Sequence, residues 1–285
     1  MTEEYAMNPH GKTALVTGST DGVGRWVASK LAALGATVLV HGRNRERGER
    51  VVADILNAGG NAAFYAADFA SLAQVRMLAA TLQRDFRSLD VLINNAGIGG
   101  AASSRETNQD GYELRFAVNY LSGFLLTRLL LPMLVRGAPA RIVNVASVGQ
   151  KAIDFNDVML TRGYDAYRAY CQSKLAQIMF TFDLAEELAG EDVTANCLHP
   201  ATFMDTTMVR EAGVTPTSSV EDGGKSILNL ATSQDGKTGG YYDRTRSSRA
   251  NRQAYDRQAR QRLRDLSYSL TKLENPSLSQ GVSSI

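Results

Sequence analysis

At 285 residues, 44% of them hydrophobic and 21% charged, the chain is long enough to bury a sizeable core and too apolar to be disordered. A formal net charge of +2 argues against a protein whose main partner is nucleic acid. No Pro/Ser-rich linker or charge block divides the middle, which favours one domain over 11–274 between tails at 1–10 and 275–285.

The opening "MTEEYAMNPH" is acidic where an export signal would be basic and then apolar. The longest apolar stretch, 123–135, is interrupted by Arg128 and Pro132 and falls short of the roughly 20 residues that span a bilayer. Both features point to a cytoplasmic protein without a membrane partner. Two cysteines, Cys171 and Cys197, lack metal-ligand spacing and suit a reducing compartment. His10, His41 and His199 are too scattered for a metal site, so no metal is expected.

Along the chain, short apolar runs alternate with segments of helical period. "KTALVTG" at 12–18 reads as a first strand and 23–35 as its helix, closed by Gly35. A strand at 37–42, a helix over "ERGERVVADILNAG", a strand at 62–68, a helix from 71 to 86 and a strand ending in "NNAG" follow. A long helix at 111–135, the strand "RIVNVAS", the helix containing Tyr170 and the strand "VTANCLHP" complete the alternation. Strands this continuously apolar are covered on both faces, so the fold class is α/β: a Rossmann-type, doubly wound parallel sheet flanked by helices, with ligands at the carboxyl ends of the strands.

At the end of the first strand stands "TGSTDGVG", with Gly18, Gly22 and Gly24 leading into a helix. Glycines there let the backbone turn tightly and approach a pyrophosphate, while the helix start offers unpaired amides and a positive dipole end. The second strand ends in "HGRNRERGER": Gly42 and Arg43 stand where an acid would select NAD. A guanidinium suits a 2′-phosphate, so NADP (NADPH) is the expected cofactor.

Taken together, these residues resemble the short-chain dehydrogenase/reductase family over most of the chain. "TGSTDGVG" is similar to its cofactor turn, "ADFAS" with Asp68 to its adenine contact, "NNAG" to its fourth-strand signature, "VNVAS" to its serine strand and "YCQSK" to its Tyr-x3-Lys pair. "VNYLSGFLLT" and the long insertion between Ser147 and Tyr170 resemble the retinol-dehydrogenase-like branch, and the loops resemble bacterial carbonyl reductases. The resemblance implies Asn119, Ser147, Tyr170 and Lys174 as the catalytic set. Tyr170 would exchange the proton, Ser147 hold the carbonyl oxygen, Lys174 favour the phenolate and hold the nicotinamide ribose, and Asn119 position a relay water. It implies cofactor contacts at Gly18, Ser19, Thr20, Gly22, Val23, Gly24, Gly42, Arg43, Asn44, Asp68, Phe69, Asn95, Ala96, Gly97, Tyr170, Lys174, Pro200, Ala201 and Thr202. One departure stands out: the family's Pro-Gly after the sixth strand is Pro200-Ala201 here.

The segment 150–163 and a lid at about 201–222 bring Ile153, Phe155, Met159, Phe203, Met204, Met208 and Val209 toward the site, fitting a bulky, mainly apolar ketone or secondary alcohol. Polycyclic polyketides, steroids and retinoid-like carbonyls all fit that description. The arginine-rich segment at about 249–272 carries Tyr255, Leu263, Leu266 and Leu270 at helical spacing and reads as a docked helix, not a nucleic-acid surface. Homodimers or homotetramers are implied by the resemblance. A catalytically retired NADP-binding sensor or scaffold is the alternative, disfavoured by the complete catalytic set.

Overall fold

Strand β1 (Thr13–Val16) is buried apolar backbone and leads through the glycine turn into α1 (Gly22–Ala33), which Asp21 caps by accepting the Gly22 amide. The computed structural model describes residues 8–101, 104–233 and 236–275. The alternation continues with β2 (Thr37–Gly42), α2 (Arg45–Asn57), β3 (Asn61–Ala66), α3 (Leu72–Asp85) and β4 (Val91–Asn94). A π-helical segment, Phe116–Leu121, runs into α4 (Ser122–Arg136); then come β5 (Ala140–Val145), α5 (Ala166–Glu187) and β6 (Val193–His199). The lid carries a short helix, α6 (Thr207–Glu211), and ends at α7 (Val220–Thr232). Beyond it lie β7 (Tyr241–Asp243), β8 (Arg246–Ser247), a 3-10 turn at Arg252–Tyr255 and α8 (Arg257–Thr271).

The eight strands form one sheet in the order β3-β2-β1-β4-β5-β6-β7-β8, parallel except where β8 turns back on β7. The order reverses between β1 and β4, and the carboxyl ends of these strands with β5 define the crevice where this architecture binds ligands. Two apolar cores lie on the two faces of the sheet. α1, α2 and α7 supply one through Val27, Leu31, Val51, Ile55 and Ile227. α3, α4, α5 and α8 supply the other through Leu78, Phe124, Leu125, Leu175, Phe180 and Leu263.

Several expectations change at the edges of elements. The helix expected at 111–135 contains the π-helical segment, where a widened turn interrupts the regular ladder just at Asn119. The continuous helix Phe116–Arg136 is 21 residues long, enough by length and composition to cross a bilayer, contrary to the reading of its apolar core alone; 67% of its most apolar 18-residue stretch is buried within the protein. The C-terminal helix starts at Arg257, later than 249, because Asp256 caps it by accepting the Gln258 and Ala259 amides. Of the two tails, 1–7 and 276–285 lie outside the described residues, whereas Pro9 and Asn275 are buried against the body.

Candidate active site

The glycine turn owes its shape to close packing. Gly18 and Gly22 have φ of +64° and +53°, and a Cβ on Gly18 would lie 2.8 Å from the Ala96 Cα. A Cβ on Gly24 would run into the Gly18 carbonyl and the Asn95 side chain. Asn95 Nδ2 donates to the carbonyls of Thr17 and Gly18 at 2.9 and 3.1 Å, and Thr17 Oγ1 accepts from the Asn95 and Ala96 amides at 2.9 and 3.0 Å. The ends of β1 and β4 are thus stitched together into a rigid concave cradle with glycine faces, which fits a nucleotide pyrophosphate.

Some expected cofactor contacts use their side chains elsewhere. Ser19 is fully buried; its Oγ donates to the Val16 carbonyl at 2.7 Å and accepts from the His41 amide at 3.0 Å. Asn44 Oδ1 caps α2 through the Arg47 amide at 2.8 Å, and Phe69 stacks into the core against His41 at 4.4 Å between ring centres. Val23 packs in the apolar core, so it shapes the turn from behind. Gly42 closes on Thr20, and Arg43 is exposed beyond it. Asp68 accepts from the Ala70 amide at 2.9 Å, leaving the carboxylate half-exposed at the end of β3.

His41, absent from the expected set, belongs to the cradle. Its Nδ1 accepts from the Gly18 amide at 3.1 Å, and burial pushes its pKa down to about 4, so the ring is neutral with its proton on Nε2. Its signal in the sequence was only a polar residue in an otherwise apolar strand.

At the end of β5, Ser147 is held from three directions. Its carbonyl accepts from Tyr241 Oη at 3.1 Å and Gln150 Nε2 at 2.9 Å, while its Oγ accepts from the Gly149 amide at 3.0 Å. Tyr170 and Lys174 lie one turn apart on α5 and face the same crevice. Burial, the largest influence, holds the Tyr170 phenol above the ordinary tyrosine value, and a hydrogen bond from Ser147 lowers it in part. The Lys174 ammonium lies 5.8 Å from the Tyr170 ring centre and, among the described residues, donates no hydrogen bond to the phenol. It donates instead to the Val145 carbonyl at 2.9 Å and to Gln177 Oε1 at 3.0 Å. Burial pushes its own pKa down to about 8.

Asn119 joins this group across Gly97, where a Cβ would lie 3.3 Å from Asn119 Oδ1 and 3.5 Å from Lys174 Nζ. Its side chain pairs with both the amide and the carbonyl of Ile98, at 2.8 and 3.1 Å, and donates to Ser173 Oγ at 3.0 Å. That side chain is therefore consumed in fixing the loop after β4. Pro200 and Ala201 are buried, and Thr202 Oγ1 lies 3.0 Å from His199 Nε2. Ala201 is not among the residues with positive φ, so alanine meets no backbone strain in the family's glycine position. Strain falls on exposed Phe203, at φ +43°. Met208 reaches Gly99 across the crevice, and Gly100 packs against Tyr167 and Tyr170, giving the mouth an apolar rim.

A glycine cradle at the reversal point of a parallel sheet, with serine, tyrosine and lysine around one open face, defines a Rossmann-type dinucleotide-binding architecture. Residues 12–216 match the family described as short chain dehydrogenase, and the chain belongs to that family. It is 43% identical over 197 residues to human retinol dehydrogenase 13, covering 67% of this chain and 58% of that protein. It is 41% identical over 205 residues to mouse retinol dehydrogenase 14, covering 67% and 61%. The chain thus spans about three-fifths of the length of these relatives. Among solved structures, an uncharacterised protein from Mycobacterium paratuberculosis superposes with a TM-score of 0.78 at 30% identity, covering 95% of this chain and 97% of that one. The NADP complex of RhlG from Pseudomonas aeruginosa gives 0.69 at 29% identity, covering 84% and 96%. Within that family the chain is similar to retinol dehydrogenases, and membership together with the NADP complex of RhlG supports a nicotinamide cofactor.

Proposed function

We propose that the protein is an NADPH-dependent reductase of bulky, mainly apolar ketones, or the corresponding alcohol dehydrogenase, with Tyr170 as the proton donor. The observation that carries this reading is the convergence of three side chains beside the glycine cradle: Ser147 Oγ and the Tyr170 ring meet over Gly149, and Lys174, near the Tyr170 ring, faces Gly97. The nicotinamide, when bound, supplies hydride to a carbonyl carbon. The chain's own task is then to hold the carbonyl oxygen and protonate it. Ser147 has its Oγ lone pair engaged by Gly149, so its hydrogen is directed to an oxygen in the crevice. Tyr170, kept protonated near neutrality by burial, is an acid ready for reduction; for oxidation it must first lose that proton, which the hydrogen bond from Ser147 favours.

The cradle of Gly18, Gly22 and Gly24 would hold the pyrophosphate, Asp68 the adenine, Arg43 the 2′-phosphate and Lys174 the nicotinamide ribose. NADP-bound relatives such as RhlG support the choice of phosphate-bearing cofactor. An apolar substrate is supported by the mouth, where Val148, Tyr167, Phe203 and Met208 are all exposed. The buried free thiols Cys171 and Cys197 accord with a reducing, cytoplasmic setting. A panel of small and bulky ketones, assayed with NADPH and with NADH by nicotinamide absorbance, tests the reading. Turnover of bulky apolar ketones with NADPH is expected; preference for NADH or for small polar carbonyls would refute it.

A further inference from the structure

Gln177 lies three residues after Lys174 on α5, is 4% exposed, and belongs to none of the motifs read from the sequence. Its Oε1 takes one of the three ammonium hydrogens of Lys174, and the Val145 carbonyl takes another. With two donors fixed by the fold, the third is left for a ligand above Gly97, whose missing Cβ opens space 3.5 Å from Nζ. Gln177 is itself anchored. Its carbonyl accepts from Thr181 Oγ1 at 2.8 Å, Asn144 Nδ2 donates to Thr181 Oγ1 at 2.8 Å, and Asn94 Nδ2 donates to Asn144 Oδ1 at 2.8 Å. A buried polar chain therefore runs from the sheet to the turn of α5 that carries the amide. We propose that Gln177 is a positioning residue that aims the Lys174 ammonium at the cofactor face and keeps it charged there; the inference rests on the function proposed above.

The physical need is plain. Burial moves the Lys174 pKa, no carboxylate pairs with it among the described residues, and a hydrogen bond to its charged form opposes that loss. The groups facing it are Val145 from β5, Gly97 from the loop after β4 and Asn119 from the π-helical segment, none of which titrates, and Tyr170 from its own helix, which does. A neutral amide supports the charge without neutralising it, so the ammonium retains its full field toward Tyr170 and the ribose site.

The test compares Gln177→Leu and Gln177→Glu with wild type, by thermal unfolding of the cofactor-free protein across pH and by kcat/KM for ketone reduction across pH. Because the folded pKa of about 8 lies below the free value of 10.5, the buried charge costs stability below about pH 8, and the cost fades as pH rises between those values. Gln177→Leu is expected to move the start of that window, and the alkaline fall in kcat/KM, down by about one unit. Gln177→Glu is expected to move both up. Repeating the unfolding series in a Tyr170→Phe background removes the one titrating neighbour. Unmoved windows in both variants, even with reduced turnover, would show that Gln177 merely packs; should Gln177→Leu not fold, the Glu variant decides by the same criterion. If the wild type reduces no ketone, the proposed function fails, while the unfolding series still reports on Gln177.

Discussion

Arg43 and His41 sit two residues apart at the end of β2 and have opposite fates. Arg43 projects to solvent beside the cradle, where a guanidinium is free to take a phosphate. Arg43→Ala is expected to weaken NADPH about tenfold or more in a fluorescence titration and to leave NADH nearly unchanged, since a charge-assisted hydrogen bond of roughly 1.5–3 kcal/mol is lost only with the phosphate. His41 points inward and serves the turn as a neutral acceptor for the Gly18 amide. With its pKa lowered from 6.5 to about 4, its contribution is complete above about pH 6.5 and is lost as pH falls toward 4. Thermal unfolding should therefore show a loss on the order of 3 kcal/mol across that interval, and His41→Asn should flatten it. The sequence showed the side of the strand end that carries charge; it did not show which side chain turns inward, because that depends on Phe69 arriving from β3.

The first six strands and the helices α1 to α5 and α8 were legible because they follow simple rules: an apolar run, a glycine stop, a helical stripe. α7 was not. Its run "VEDGGKSILNLAT" contains two adjacent glycines, which weaken a helix, and the expected lid at about 201–222 covers only its first three residues. The available signal was the Ser219–Asp222 pair, which forms a capping box in the structure. The glycines are explained by packing: Trp26 of α1 lies against Gly224 and Met204 of the lid against Gly223. Gly224→Leu is expected to destabilise the fold by about 1–3 kcal/mol in denaturant titration by forcing α1 and α7 apart, despite a better intrinsic helix propensity. β7 and β8 were also missed, being three and two residues long and too short to carry a periodic pattern.

Across the whole molecule, the C-terminal third completes a site whose recognisable motifs end much earlier. Tyr241 of β7 holds the Ser147 carbonyl, Asn251 donates its amide to Gln150 at 2.7 Å, and Gln253 pairs with both the amide and carbonyl of Ile153 at 2.6 and 3.1 Å. The serine strand and the loop after it are thereby fixed from chain segments about 100 residues away. α8 closes the outside of α4 and α5: Arg260 pairs with Asp183 and Glu186, and Arg128 lies among the rings of Phe124, Phe180 and Tyr268. Among the arginines of α8, Arg260 points inward, since the acids that receive it lie on α5. The proposed catalytic residues were legible because they fall in compact motifs; the long-range hydrogen bonds that hold them are made by single residues with no local pattern. What all of this framework delivers is one phenol at the open face of the cradle. The direct measurement is single-turnover ketone reduction by Tyr170→Phe beside an NADPH binding titration. The account predicts a rate loss of at least about a hundredfold with cofactor affinity retained within a few-fold; near-normal turnover in that variant would contradict it.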